Sequence, residues 1–260
     1  IQNANTLKIR HLLQHSSSIS RYVFETEFQQ ELKIDVDKIW APETLLSYVF
    51  DKEPLFEAGS DFSYSDTNYI VLGMVLEKIT GGSLYSYIDQ YILKPMNLDR
   101  VSPQTQRNIP NLAIGYSSTE DLFYPGTVVE NGSYKYNLQF EWAGGGFVNN
   151  SRDLARAAKL IYENKLFGVD MMREYLNGIP ATGLGGAWGL GVHITNSPVG
   201  KSYGHSGFFP GYVTNMLYFP EFQFSLAFQV NTSDGKNLGL YRKLHSLIPV
   251  IANQLKEQHP

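Results

Sequence analysis

Cysteine is absent from all 260 residues, which excludes disulfides, thiolate nucleophiles and zinc–thiolate sites at once. Charge is sparse: Asp, Glu, Lys and Arg make up 18% of the chain, 21 basic against 25 acidic residues, for a net charge of −4. Nucleic-acid binding needs a basic stripe to neutralise phosphates, and this composition offers none. Long apolar runs are missing too. The longest, residues 69–76, stops at Glu77, far short of the roughly 18 to 20 residues that span a bilayer. No solenoid-length repeat or low-complexity tract occurs, and residues 1–10 lack an apolar core of the signal-peptide kind and read as an interior segment.

What is present suffices for a core. Hydrophobic residues make up 43% of the chain, and its length allows one large domain or two small ones. Ile70, Leu72, Val75, Leu76 and Ile79 recur at helical spacing, with Ser65 or Asp66 as N-cap and Gly81-Gly82 as the stop. A second helix is expected from Ser151, taken as its N-cap, to Asn164, directly after the Gly144-Gly145-Gly146 turn. Residues 213–219 and 224–230 are rich in β-branched and aromatic side chains and are split by Pro220-Glu221, the pattern of an antiparallel hairpin. Residues 238–255 read as a closing helix. These patterns give an α+β chain: a mostly helical lobe over residues 1–183 and a sheet lobe with the final helix over 184–260.

Three short segments combine reactive side chains with turn residues. In the first, His11 and His15 are four apart, which puts them on one face if a helix runs through both. A metal is one reading, but no carboxylate stands close by, and histidines that cap and pack are the preferred one. In the second, Tyr64 lies in Phe62-Ser63-Tyr64-Ser65-Asp66-Thr67-Asn68, on the N-terminus of the first helix. There the helix dipole favours a phenolate that could accept a proton, against the plainer reading of an amphipathic packing tyrosine. The third, residues 203–211, presents His205 just before a strand between glycines that let a ligand approach the backbone closely, where an edge could offer N–H donors to a substrate carbonyl. A glycine-rich turn is the plainer alternative.

In this order and spacing the segments resemble the serine β-lactamase and penicillin-binding-protein superfamily, in its branch of class C β-lactamases, D-alanyl-D-alanine carboxypeptidases and esterases. Residues 9–19 resemble the family's Ile-Arg-His-Leu-Leu-Thr-His-Thr-Ser-Gly-Ile string, and residues 57–76 its Pro-Gly-x-x-Phe-x-Tyr-Ser-Asn stretch with the helix that follows. Residues 113–116, 143–155, 188–191 and Gly204-His205-Ser206-Gly207 with Pro210-Gly211-Tyr212 fall where the family puts them.

The resemblance implies a β-lactamase/transpeptidase-like fold, an antiparallel sheet flanked by helices plus a helical lobe, with the active site between them. It implies a serine hydrolase that forms an acyl-enzyme on amide or ester bonds, with no metal or organic cofactor. Tyr64 and Asp66 match the family's Tyr-x-Asn, and His205, Ser206 and Gly207 its Lys/His-x-Gly strand motif. The backbone N–H of Phe208 would be half of the oxyanion hole. The nucleophile belongs to a Ser-x-x-Lys string, and the only such string here, Ser233 to Lys236, follows a strand among turn formers and reads as a loop. The resemblance therefore implies that two N-terminal strands and the nucleophile helix are not in this chain, which alone would be inactive, and that a preceding fragment or second chain supplies Ser-x-x-Lys. Asp66 in place of Asn exchanges an amide for an acceptor-only carboxylate. His205 in place of Lys makes a charge for substrate carboxylates dependent on protonation near pH 6.5. Both departures favour a peptidase or esterase over a β-lactamase. An esterase of small acyl esters and a non-catalytic binding protein with a retained cleft stay open, and a periplasmic or extracellular location is implied.

Overall fold

The computed structural model describes residues 1–118, 125–197, 199–235 and 239–258, with side chains as far as residue 255. Helices α1 (Ile9–Leu13), α2 (Thr26–Ile34), α3 (Pro42–Ser47), α4 (Thr67–Thr80) and α5 (Leu84–Ile88) precede α6 (Ser151–Tyr162) and α7 (Val169–Tyr175). The sheet follows, as β1 (Ile179–Pro180), β2 (Ala187–Trp188), β3 (His193–Ser197), β4 (Gly200–Phe209), β5 (Tyr212–Phe219) and β6 (Phe224–Val230), with α8 (Gly239–Ser246) and α9 (Ile248–Gln258) closing the chain. All six strands pair antiparallel with their neighbours in chain order, a simple meander. Among the described residues no helix is long and apolar enough to cross a membrane.

The sheet is covered on both faces, and alternation along β5 shows how. Met216 and Tyr218 pack with Ala158 and Tyr162 of α6, whereas Leu217 and Phe219 pack with Ile248 and Ala252 of α9. Successive side chains of a strand point to opposite faces, so α6 and the C-terminal helices form two outer layers around one sheet. The largest core lies in the helical part around Tyr22, Phe28, Trp40, Leu45, Ile70 and Phe140. Helix α6 thus packs on the sheet although it belongs to the first 183 residues, and β1 starts at Ile179.

Several expected boundaries hold. Helix α4 ends at Gly81, whose left-handed φ of 69° lets its N–H reach the Glu77 carbonyl at 2.9 Å. Others move by a nameable cause. Asn150, not Ser151, caps α6, because its side chain accepts the Asp153 N–H at 2.9 Å while Ser151 donates to Gln229. The closing helix is two helices broken at Leu247, where Pro249 enters the first turn of the second. Leu238 lies outside the described residues. Helix α1 stops at Leu13, and His15 follows it in a left-handed conformation, φ 54°, so His11 and His15 do not share a helix face.

Candidate active site

His15 and the three residues after it are buried, although residues 14–18 are all polar. Their hydrogen bonds explain why that is tolerated. The His15 carbonyl accepts the Ser63 N–H at 2.9 Å, and its ring Nδ1 accepts the Ser65 N–H at 3.1 Å. The Asn68 amide reaches the same nitrogen at 3.1 Å, and Ser17 donates to Asn68 Oδ1. One residue therefore anchors the backbone on both sides of Tyr64, and its ring lies 4.1 Å, centroid to centroid, from the Tyr64 ring. Burial, with His205 and Arg21 adding repulsion, lowers the His15 pKa to about 3. The ring is neutral, with its proton on Nε2. The packing role expected for these histidines is what the geometry gives.

Tyr64 faces the sheet lobe. Its ring centroid is 6.0 Å from that of His205 and 5.4 Å from that of Trp188, whose own ring stands 5.3 Å from His205. The expectation of a dipole-favoured phenolate is corrected here. Burial, then the Asp66 carboxylate, push the Tyr64 hydroxyl well above the ordinary phenol range, and the Arg21 guanidinium, 5.3 Å from the ring, offsets only part. Asp66 does not cap α4 with its side chain. Its Oδ2 accepts from Arg21 Nε at 2.9 Å and Nη2 at 2.6 Å, a charge-assisted pairing that a neutral Asn would weaken.

His205 sits inside β4 rather than before it. Phe209 pairs with Tyr212 across the turn Pro210-Gly211, where Gly211 has φ 91°, so 209 and 212 are a hydrogen-bonded pair. By alternation, residues 205 and 207 turn their amides to β5, and residues 204, 206 and 208 turn theirs to the other side. There Gly204 meets His193, the first residue of β3, so the amides of Ser206 and Phe208 run past the end of β3 into open space. The edge donors expected from the glycine-rich segment are present as the free half of an otherwise internal strand. The glycines have a different reason from ligand approach: a Cβ on Gly204 would lie 1.9 Å from the Met216 carbonyl oxygen, and one on Gly207 2.4 Å from Thr214 Oγ1. The Phe208 side chain is 62% exposed at the cleft.

Burial lowers the His205 pKa, with His193 adding to the effect. Its Nδ1 lies 2.5 Å from the Ser206 carbonyl, which can only accept, so the neutral ring keeps its proton on Nδ1 and leaves Nε2 as a lone pair. The positive charge expected for a substrate carboxylate is therefore disfavoured at neutral pH.

Tyr64, Asp66, His205, Ser206, Gly207 and Phe208 all line one cleft of about 1190 Å³. Arg21, Glu141, Trp188 and His193 line it too; Trp188 opens the recognised run 188–191, whereas the other three had no signal in the sequence beyond proximity to the recognised strings. Glu141 precedes Trp142, whose φ of 36° and ψ of −115° are strained for a bulky residue. Burial and Asp66 raise the Glu141 pKa to about 8, with Arg21 opposing. Ser233 is buried, and its hydroxyl accepts the Gly211 N–H at 2.8 Å, holding the β4–β5 turn; Lys236 of the same string lies outside the described residues.

The Beta-lactamase family model matches residues 2–246. The chain belongs to the Beta-lactamase family. Among relatives, penicillin-binding protein 4* of Bacillus subtilis (strain 168) is 26% identical over 244 residues, 87% of this chain and 51% of that protein, so the chain spans about half the length of that relative. Among solved structures, a D-stereospecific amidohydrolase from Streptomyces sp. superposes with a TM-score of 0.78 at 24% identity, over 87% of this chain and 68% of the other. D-amino acid amidase from Ochrobactrum anthropi SV3 gives 0.79 at 20%, over 100% and 74%. These structural likenesses show the family fold, an antiparallel sheet flanked by helices, and the family match places the chain in the serine β-lactamase and penicillin-binding-protein superfamily.

Proposed function

We propose that the cleft is the active site of a hydrolase that cleaves amide or ester bonds through an acyl-enzyme. The observation that carries this reading is the convergence of Tyr64, His205 and the unpaired Phe208 amide on one cleft, from elements far apart in sequence. The nucleophile is a Ser-x-x-Lys serine supplied by a preceding segment or a second chain, since Ser233 is committed to a turn.

In the acylation step the serine oxygen bonds to the substrate carbonyl carbon. Its proton passes to the Tyr64 oxygen while the Tyr64 hydroxyl proton passes to the departing nitrogen or oxygen, so the tyrosine ends as it began. A relay of this kind suits a hydroxyl whose pKa is raised, because no free phenolate has to accumulate. The Phe208 N–H donates to the carbonyl oxygen as it becomes an oxyanion. Water then attacks the ester, returning a proton to the serine and releasing the acid. His205, neutral, accepts a substrate N–H. A periplasmic or extracellular location belongs to the same proposal.

The test is covalent labelling with a fluorescent fluorophosphonate, of the 260-residue chain alone and of the chain together with its Ser-x-x-Lys segment. Labelling only in the second case, at the serine of that string, is the expected result. No labelling in either would leave a non-catalytic binding protein, and labelling at Ser233 would reverse the assignment of the nucleophile.

A further inference from the structure

Arg21 is the only Lys or Arg among the described residues that line the cleft, and its side-chain bonds go to Asp66. Glu141 is the second carboxylate there and takes part in no ion pair among the described residues. Two glycines leave its carboxylate uncovered. A Cβ on Gly145 would lie 3.5 Å from Glu141 Oε2, and one on Gly144 would lie 3.9 Å from that oxygen and 3.7 Å from Asp66 Cβ. The bare backbone of residues 144–145 thus keeps open the space beside both carboxylates. In the same cleft, His205 presents a lone pair rather than a charge.

A substrate carboxylate entering this cleft would meet two carboxylates, one guanidinium already paired, and a neutral imidazole. An ammonium group would meet those same two side chains as acceptors once ionised, together with the His205 Nε2 lone pair, against one guanidinium that Asp66 already pairs. Phe24, Leu184 and Phe208, each more than half exposed, line the same cleft and offer apolar surface beside them. Resting on the active-site reading above, we infer that the cleft takes an acyl donor bearing a free ammonium group next to an apolar side chain, and that Glu141 is the residue that binds the ammonium.

The groups facing Glu141 are Arg21, Asp66 and the tyrosines Tyr22, Tyr64, Tyr85 and Tyr134, and burial holds all four phenols neutral. In the empty cleft burial and Asp66 keep the Glu141 carboxyl partly protonated at pH 7. An arriving cation reverses that balance and draws the proton off, so binding is coupled to proton release.

The experiment is calorimetric titration of the chain at pH 7 with leucine amide, either enantiomer, with N-acetyl-leucine amide, which keeps the side chain and loses the ammonium, and with N-acetyl-leucine, which carries a carboxylate. Leucine amide should bind about tenfold or more tightly than its acetylated form, the size of one charged contact, and N-acetyl-leucine most weakly. Glu141→Gln should close most of the gap between the first two. If that variant does not fold, wild-type titrations in buffers of different ionisation heat still decide, since only leucine amide should release a proton on binding. Equal affinities for the amide pair, tightest binding of N-acetyl-leucine, or no binding of any of the three overturns the inference. An amine preference without fluorophosphonate labelling would sink the hydrolase reading and leave this one standing, and labelling without an amine preference would do the reverse.

Discussion

His15 holds Tyr64 from three directions: its carbonyl takes the amide hydrogen of Ser63, its Nδ1 takes that of Ser65, and its ring packs 4.1 Å from the tyrosine ring. The ring contact alone would leave the tyrosine free to slide, and the two backbone bonds remove that freedom. A buried neutral histidine thereby sets where the Tyr64 hydroxyl points.

Acid should expose this dependence. The folded-state pKa of His15 lies near 3, against an unfolded value near 6.5, so below pH 6.5 the unfolded chain gains a proton that the folded chain refuses. The stability His15 contributes is complete above pH 6.5 and falls through the window from 6.5 to 3, at up to about 1.4 kcal/mol per pH unit. His15→Asn, whose side-chain oxygen can accept the Ser65 N–H, should lose that slope in denaturant titrations at pH 7, 6, 5 and 4. An unchanged slope would mean that the histidine is not neutral in the folded protein.

Tyr64→Phe removes the relaying oxygen while keeping the ring that packs on His15 and Trp188. In the protein carrying its Ser-x-x-Lys segment, kcat for a chromogenic ester should fall by about 10²- to 10⁴-fold, with an unchanged melting temperature. A loss smaller than about threefold would exclude Tyr64 from the proton path.

Much of this site was legible in the sequence because it lies in contiguous strings: Tyr64 and Asp66 in one turn, His205 to Phe208 on one strand. The elements with strong local periodicity, α4 and the β5–β6 hairpin, were legible for the same reason. What the sequence did not disclose is relational. Nothing marks Arg21 as the partner of Asp66, 45 positions away, or Glu141 as the neighbour of both, since such pairs exist only once the loops are folded against α4. The tyrosine's protonation state is hidden from the sequence for a related reason: the helix dipole is a local feature of the sequence, whereas burial and a nearby carboxylate, which outweigh it, are not. The glycines of β4 look in the sequence like openings for a ligand, yet the atoms they avoid belong to β5.

That last point has a measurable consequence. A Cβ at Gly204 would meet the Met216 carbonyl at 1.9 Å, a backbone atom in the middle of the sheet that cannot step aside. Gly204→Ala should destabilise the protein by about 3 kcal/mol or more, at the upper end for overpacking, and urea unfolding would show it. Gly81→Ala, at a position with nothing within 4 Å, pays only for its left-handed φ and should cost about 1 to 2 kcal/mol. If the two cost the same, backbone conformation rather than the cross-strand clash governs Gly204.

Glu141 offers the opposite sign of pH dependence from His15. Burial and Asp66 raise its folded-state pKa to about 8, against an unfolded value near 4.5, so between these limits the folded protein keeps a proton that the unfolded chain has lost. Its contribution is complete below pH 4.5 and disappears as pH rises to 8. Glu141→Gln has no proton to lose there, so its stability relative to wild type should grow steadily from pH 5 to pH 8. Because the side chain is only half-buried and water screens it, a gain on the order of 1 to 2 kcal/mol is expected, or a few degrees in melting temperature for a chain of this size. Melting curves of both proteins at pH 5, 6, 7 and 8 would read it. A difference that is flat or shrinks with pH would mean that Glu141 is ionised in the empty cleft, stabilised by Arg21 more than Asp66 repels it.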